Sequence, residues 1–268
     1  MLRQRLAHVH EQIQQACQRP HRPPSSVSLV AVTKGVPAEM IREAIALGLT
    51  ELGENRVQEA HLKLKALGSR LKADRASLEP PALSLQPVRW HLIGHLQRNK
   101  VKDAVELFDV IHSVDSLALI DELERHAAKT AQGPRLEAEG KSRKFPFPVF
   151  MQVNVSGEMS KFGCRLEEAL PLARQIIALP HVRLAGLMTI APFVENPEAA
   201  RPHFRRLRQL RDDLATAFSL QPSALSLSMG MSQDFEVAIE EGADVVRIGT
   251  AIFGPRTTDH GPQEPLHA

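Results

Sequence analysis

Apolar and polar positions along the chain alternate between two kinds of segment. Short runs of β-branched and aliphatic residues, typical of strands buried on both faces, are separated by longer segments with apolar residues at helical spacing. The pattern predicts strands at Val27–Thr33, Glu51–Gly53, Arg89–Gly94, Val110–Val114, Pro148–Val155, Leu184–Ile190, Leu225–Met229 and Val245–Gly249. Helical patterns include Pro37–Leu47, Val57–Leu67, Leu166–Leu179, Glu198–Phe218 and Phe235–Glu241, and another helix precedes the first strand.

Repeated strand-then-helix units favour parallel strands joined by right-handed crossovers. Eight such units predict a closed (β/α)8 TIM-type barrel, an α/β fold, rather than an open doubly wound sheet. A dinucleotide-binding sheet is also disfavoured because no G-x-G-x-x-G follows the first strand. We therefore predict one barrel domain over residues 1–256 with an extra N-terminal helix, followed by a polar tail at 257–268.

Two stretches interrupt this rhythm, near residues 69–87 and 131–146. Both are rich in proline, charged and small residues and lack clear periodicity, which is typical of long surface insertions. The alternation of strands and helices resumes after each, so neither is interpreted as a linker between domains.

Composition narrows the class of protein. The chain has 33 basic and 31 acidic residues, a net charge of +2, which gives no overall attraction to nucleic acid. We expect a cytoplasmic protein, because the N-terminus lacks a signal-peptide core and no apolar run reaches the roughly 20 residues of a membrane helix. The two cysteines, Cys17 and Cys164, favour a reducing compartment and suggest no metal site. Tyrosine is absent, which excludes any mechanism that needs a phenol.

Lys34 ends the first predicted strand, where Gly35 and Pro37 indicate a tight turn into a helix. The active sites of such barrels lie at the carboxyl ends of the strands. A desolvated lysine there can lose its proton near neutral pH and attack a carbonyl carbon. The alternatives are a lysine that snorkels at the strand end or one that pairs with Glu54.

The last two predicted strands suggest a phosphate site. Ser228-Met-Gly-Met-Ser232 ends strand seven and Arg247-Ile-Gly-Thr250 ends strand eight. Glycines allow backbone N–H groups to approach an anion, and the hydroxyls of Ser232 and Thr250 can donate. Alternatively, Ser232 only caps a helix, and Gly249 is only a turn glycine.

Three other side chains have more than one interpretation. Arg247 could bind a phosphate, pair with Glu54 or Asp244, or donate to a pyridine nitrogen and leave that nitrogen unprotonated. His91 and His95 are too few for a metal site and are interpreted as core or loop histidines. Cys164 could act as an acid, although a small buried residue is the favoured interpretation.

Seven motifs together resemble the pyridoxal phosphate homeostasis proteins, a family with the alanine racemase N-terminal barrel fold, in family order over roughly residues 27–254. They are Val30–Lys34, Gly53–Glu59, Trp90–Lys100, Ser160–Gly163, Gly186–Thr189, Leu227–Ser232 and Val246–Gly254. The resemblance implies that Lys34 holds pyridoxal phosphate (PLP) as an internal aldimine and that Asn55 and His91 lie beside the cofactor ring. It further implies that Arg247 faces the pyridine nitrogen. The cofactor-binding set is completed by Ser232, Gly249 and Thr250 at the phosphate, and by Met229 in the same loop.

The function implied by the resemblance is to bind PLP and to buffer or deliver it, without an established catalytic activity. PLP-dependent apoenzymes would be the recipients, and we expect a monomer. Alanine racemases resemble this barrel but add a β-domain and use a tyrosine opposite the lysine. The alternatives are a one-base amino-acid racemase that uses Lys34 with Cys164 or His91, and a cofactor-free Schiff-base aldolase acting on a sugar phosphate.

Overall fold

The computed structural model describes residues 1–74, 88–132, 145–158 and 161–255, which form one closed barrel of parallel strands in the order β1 to β8. The strands are β1 (Ser28–Val32), β2 (Glu51–Glu54), β3 (Arg89–Leu92), β4 (Val110–Val114), β5 (Phe147–Gln152), β6 (Val182–Met188), β7 (Ser226–Ser228) and β8 (Val245–Ile248). The helices are α1 (Leu2–Gln18), α2 (Ala38–Ala46), α3 (Val57–Asp74), α4 (Val101–Leu107), α5 (Leu117–Gln132), α6 (Leu166–Ile177), α7 (Arg201–Ala217), α8 (Phe235–Glu240) and α9 (Thr250–Phe253). The predicted barrel fold is confirmed.

Helix α1 is the predicted extra helix at the N-terminus. Its buried residues Leu2, Leu6, Val9 and Ile13 recur at intervals of three and four, so they form one apolar stripe along the helix. The helix packs against α8 and α9 on the outside of the barrel. It therefore covers the side of the barrel to which β8 belongs.

The barrel interior combines a small apolar cluster with buried polar groups. Five residues from different strands form this cluster, separate from the main core between strands and helices: Val30, Val110, Phe150, Met188 and Val245. His112, Ser228 and Arg247 are also buried. Buried polar groups need hydrogen-bond partners, so the positions of these three side chains are strongly constrained.

Some predictions lie largely outside the described residues. These are most of the insertions near 69–87 and 131–146, and the tail at 257–268. Helix α3 continues to Asp74 and α5 to Gln132, so the N-terminal margin of each predicted insertion is helical. Within the described ranges, no helix is both long and apolar enough to cross a membrane.

Candidate functional site

Lys34 lies in the turn that follows β1. The amide of Thr33 donates to the carbonyl of Gly53 at 2.9 Å, which ties the end of β1 to β2, and Gly35 completes the turn with φ of 70°. This left-handed conformation favours glycine. The Lys34 side chain is half-buried, and its amine has no hydrogen bond or ion pair within the described ranges. A half-buried amine without a partner is available to a ligand.

Sequence reasoning missed Lys63, which holds the chain next to Lys34. Its ammonium group donates to the carbonyl of Thr33 at 2.5 Å, to Oε1 of Glu54 at 2.6 Å and to Oε1 of Glu59 at 2.7 Å. Glu59 also accepts from the amide of Gly35 at 2.6 Å. Main-chain groups on both sides of Lys34 are therefore held by side chains of α3.

Glu54 pairs with Lys63 and not with Lys34. Its side chain is fully buried, and Oε1 also accepts from the hydroxyl of Thr33 at 2.5 Å, whereas Oε2 has no partner. Burial raises the pKa of Glu54, although the hydrogen bonds from Lys63 and Thr33 oppose this effect. The structure therefore does not support the alternative in which Lys34 pairs with Glu54.

The loops after β7 and β8 meet through the hydroxyl of Ser232. Its oxygen accepts from the backbone N–H groups of Gly249 at 3.3 Å and Ala251 at 3.4 Å. In the described part of the chain, the backbone N–H groups of Ser232 and Thr250 have no acceptor. The structure thus brings Ser232, Gly249 and Thr250 together as a set of donors suited to an anion.

Gly230 gives the first of these loops its shape. Its φ of 92° is unfavourable for other residues, and an added Cβ would lie 2.6 Å from Cβ of Ala238. Met229, also predicted to bind the cofactor, has its side chain buried in the main core, and its amide donates to the carbonyl of Val245.

Lys34 and the donors of Gly249 and Thr250 follow neighbouring strands. In the pairing of β1 with β8, Val30 lies opposite Arg247. Further along, a Cβ at Gly249 would lie 3.3 Å from Cβ of Val32, so the backbones of these two residues are in close proximity. The amine and this set of backbone and hydroxyl donors therefore share one end of the barrel, and binding of an anion there stays a prediction.

Arg247 is buried below this end of the barrel. Its Nη1 donates to Oγ of Ser228 at 2.7 Å, and its Nη2 donates to the carbonyl of Thr189 at 2.8 Å. Burial lowers the pKa of Arg247 to about 10 against the opposing charge of Asp234, so the group stays protonated at neutral pH. Two of its five N–H groups are used, and the other three have no acceptor among the described residues. Asp244 pairs with Arg22 instead of Arg247.

Asn55 and His91 have different surroundings. Asn55 follows β2, is half-buried, and its side-chain amide has no partner in the described ranges.

His91 is buried, with Nε2 2.5 Å from a carboxylate oxygen of Glu51 and Nδ1 2.9 Å from Nε2 of His112. His112 reaches Ser228, the hydroxyl that accepts from Arg247. Strand alternation of period two predicts that these side chains point into the barrel, but it does not give their partners across it.

Cys164 has the surroundings of a small buried residue, as the favoured interpretation of the sequence expects. It is 3% exposed, and burial raises the pKa of its thiol to about 12. Nearby, His95 stacks on Phe162 with ring centroids 4.1 Å apart. Among the described residues, no group of three or more histidine, cysteine or acidic side chains is placed to hold a metal ion.

Comparison with known proteins places the chain among relatives of similar length. It matches the family model described as alanine racemase, N-terminal domain, over residues 4–257. The pyridoxal phosphate homeostasis protein of Aquifex aeolicus is 43% identical over 253 residues, which cover 94% of this chain and 97% of that protein.

Two solved structures extend the comparison. The structure of PipY from Synechococcus elongatus PCC7942 with PLP bound is 34% identical, with a TM-score of 0.73, and the match covers 95% of this chain and 100% of that one. Alanine racemase from Corynebacterium glutamicum is 14% identical with a TM-score of 0.63, and the match covers 97% of this chain and 64% of that one. The second likeness concerns the fold alone.

Proposed function

This chain belongs to the pyridoxal phosphate homeostasis proteins, which have the alanine racemase N-terminal domain, and on that basis we propose that it binds PLP and buffers or delivers it. The observation that carries the proposal is the unpartnered amine of Lys34 at the same end of the barrel as the backbone donors of Ser232 and Thr250. Delivery to PLP-dependent apoenzymes and a monomeric state are further predictions.

The described residues suit the three chemical parts of PLP. The hydroxyls and N–H groups of Ser232 and Thr250, with the backbone of Gly249, are donors for the phosphate. Arg247 keeps N–H groups available for the pyridine nitrogen. The free amide of Asn55 is a candidate partner for a polar substituent of the ring.

Lys34 supplies the covalent part of the proposal. PLP would supply an aldehyde, to which the amine of Lys34 could add reversibly with loss of one water. The contacts of Lys63 and Glu59 hold the main chain on either side of Lys34 before any ligand arrives. Capture and release at one amine are sufficient for a protein that stores a cofactor.

A catalytic role has less support. Removal of a proton from one face of an amino acid and its return to the other needs a second acid or base. Cys164, with its pKa raised to about 12, and His91, with both ring nitrogens engaged, are poorly suited to that task. Arg247 as a donor would also leave the pyridine nitrogen unprotonated, which weakens the ring as an electron sink.

The proposal is tested by absorption spectroscopy of the purified protein titrated with PLP. We expect a visible band that disappears on borohydride reduction, with the added mass on the peptide that contains Lys34. The Lys34→Ala variant should lose the band, whereas Lys102→Ala, at an exposed position on α4, should keep it. A Lys34→Ala protein that retains the full band contradicts the proposal.

The racemase alternative is tested separately. The PLP-loaded protein is incubated with D- and L-alanine in deuterated water, and exchange at the α-carbon is followed by NMR. We expect no exchange above the rate of free PLP. Exchange that depends on Lys34 would favour an enzyme.

A further inference from the structure

A line of hydrogen-bonded side chains crosses the barrel interior from Glu51, the first residue of β2, to Arg247 near the end of β8. Nε2 of His91 lies 2.5 Å from Oε2 of Glu51, and its Nδ1 lies 2.9 Å from Nε2 of His112. Nδ1 of His112 lies 2.9 Å from Oγ of Ser228, which accepts from Arg247. Five strands contribute one residue each to this line, which we call the interior relay.

The charge of Glu51 determines which group donates in its hydrogen bond with His91. Burial opposes ionisation of Glu51, but the hydrogen bond from His91, together with Arg89, lowers the pKa of its carboxyl group below its usual value. A carboxylate can only accept hydrogen bonds, so Nε2 of His91 is the donor.

His112 determines the direction of the remaining bonds. It is fully buried, and desolvation, with the nearby charges of Arg247 and Arg89, holds its pKa well below the usual range. The ring is therefore neutral and carries a single N–H group, either on Nε2 or on Nδ1. The ring also stacks on Phe150, with centroids 4.3 Å apart, which fixes its plane.

Hydrogen counting distinguishes the two tautomers. With the proton on Nε2, His112 donates to His91, its Nδ1 accepts from the hydroxyl of Ser228, and the oxygen of Ser228 accepts from Arg247. Every hydrogen between these side chains then has an acceptor. With the proton on Nδ1, His91 must be a cation, and the hydroxyl hydrogen of Ser228 has no acceptor in the described part of the chain. An unpaired buried hydroxyl is costly, so the Nε2 tautomer is favoured.

We propose that Glu51, His91, His112 and Ser228 are positioning residues that orient Arg247 toward the pyridine nitrogen of bound PLP. This inference rests on the proposed function, since it assigns a role at the same site. Ser228 can accept from Arg247 with its own hydrogen engaged only because His112 accepts that hydrogen. The guanidinium is held at both terminal nitrogens, by Ser228 and by the carbonyl of Thr189.

The relay is first tested without ligand, by 15N NMR of the histidine side chains in the full-length protein. We expect His91 and His112 in the Nε2–H form. Glu51→Gln, which lets the residue at 51 donate as well as accept, should shift His112 toward the Nδ1–H form. Glu124→Gln is the matched control, because Glu124 holds His181 at 2.6 Å away from the relay. His112 in the Nδ1–H form in the wild type, or 15N shifts of both His91 and His112 that are unchanged in Glu51→Gln, would overturn the relay.

The link to the ligand is then tested by titration with PLP. Glu51→Gln should shift the absorption maximum of bound PLP and weaken its apparent Kd about three- to tenfold, the effect of about one hydrogen bond, whereas Glu124→Gln should change neither. Ser228→Ala removes the acceptor at the other end of the relay and should act in the same direction, even if Glu51→Gln does not fold. An unchanged spectrum and Kd in a folded relay variant would overturn the positioning role. A wild-type protein that takes up no PLP overturns the proposed function and this role together, whereas the ligand-free NMR spectra still decide the relay.

Discussion

The ammonium group of Lys63 lies 2.5 Å from the carbonyl oxygen of Thr33, so a side chain of α3 holds the main chain immediately before Lys34. The same group is paired with the fully buried carboxylate of Glu54 and with Glu59, which itself binds the amide of Gly35. The main chain that carries the candidate reactive lysine is therefore held by a second lysine that does not need to touch the ligand.

Lys63→Met should destabilise the protein and slow the capture of PLP. Removal of one partner of a buried pair leaves an uncompensated charge, and we expect a loss of about 3 kcal/mol in the free energy of unfolding. The measurement is the urea midpoint at unchanged slope, together with the rate at which the visible band appears. Lys102→Met, at an exposed position, is the control and should alter neither. A Lys63→Met protein as stable as the wild type would show that burial of Glu54 does not require the charge of Lys63.

Much of the fold could be predicted from the sequence because its strands are buried on both faces. Continuous apolar runs such as Val27–Thr33 and Val110–Val114 contrast clearly with the amphipathic helices between them. The positions of Lys34 and Gly249 at one end of the barrel then follow from the direction of parallel strands.

The contacts of Lys63 and the interior relay could not be predicted in the same way. Lys63 has the sequence context of an ordinary helix lysine, and only the packing of α3 brings it to Thr33. His112 and Ser228 are 116 positions apart, and they meet only because β4 and β7 face each other across a closed barrel. Pairings across the interior depend on the shape of the barrel, which strand patterns alone do not give.

His112 should make the stability of the protein depend on pH. Because burial lowers its pKa in the folded state below the usual 6.5, the unfolded chain binds a proton more readily. Its contribution is fully present above pH 6.5 and is lost as the pH falls, with a slope of up to about 1.4 kcal/mol per pH unit. Urea titrations between pH 5 and 7 should show a shallower slope for His112→Gln. The control is His203→Gln. The pKa of His203 is also lowered, but this residue is less buried, so its replacement should change the slope less than His112→Gln does. Equal slopes for wild type and His112→Gln would count against a neutral His112.

Gly230→Ala should destabilise the loop after β7. The substitution combines an unfavourable φ of 92° with a Cβ 2.6 Å from Cβ of Ala238, and we expect a cost of about 3 kcal/mol. Gly48→Ala is the matched control, because Gly48 has φ of 99° and nothing within 4 Å of an added Cβ, so it should cost only about 1 kcal/mol. Thermal or urea unfolding of both variants separates backbone strain from close packing. Equal costs would show that the contact with Ala238 relaxes.

Ser232→Ala should weaken the binding of PLP far more than the binding of pyridoxal, which has the aldehyde but no phosphate. The hydroxyl of Ser232 joins the loops after β7 and β8 through Gly249 and Ala251, and it is also a proposed donor to the phosphate. A hydrogen bond to a charged group contributes more than a neutral one, so we expect the apparent Kd for PLP to rise about tenfold. Pyridoxal should bind the wild type and Ser232→Ala with similar, weak affinity, because both keep the amine of Lys34. Titrations followed by absorbance measure both ligands under the same conditions. A parallel loss of affinity for the two ligands would show that Ser232 acts only by shaping the loops, and an unchanged Kd for PLP would remove it from the phosphate site.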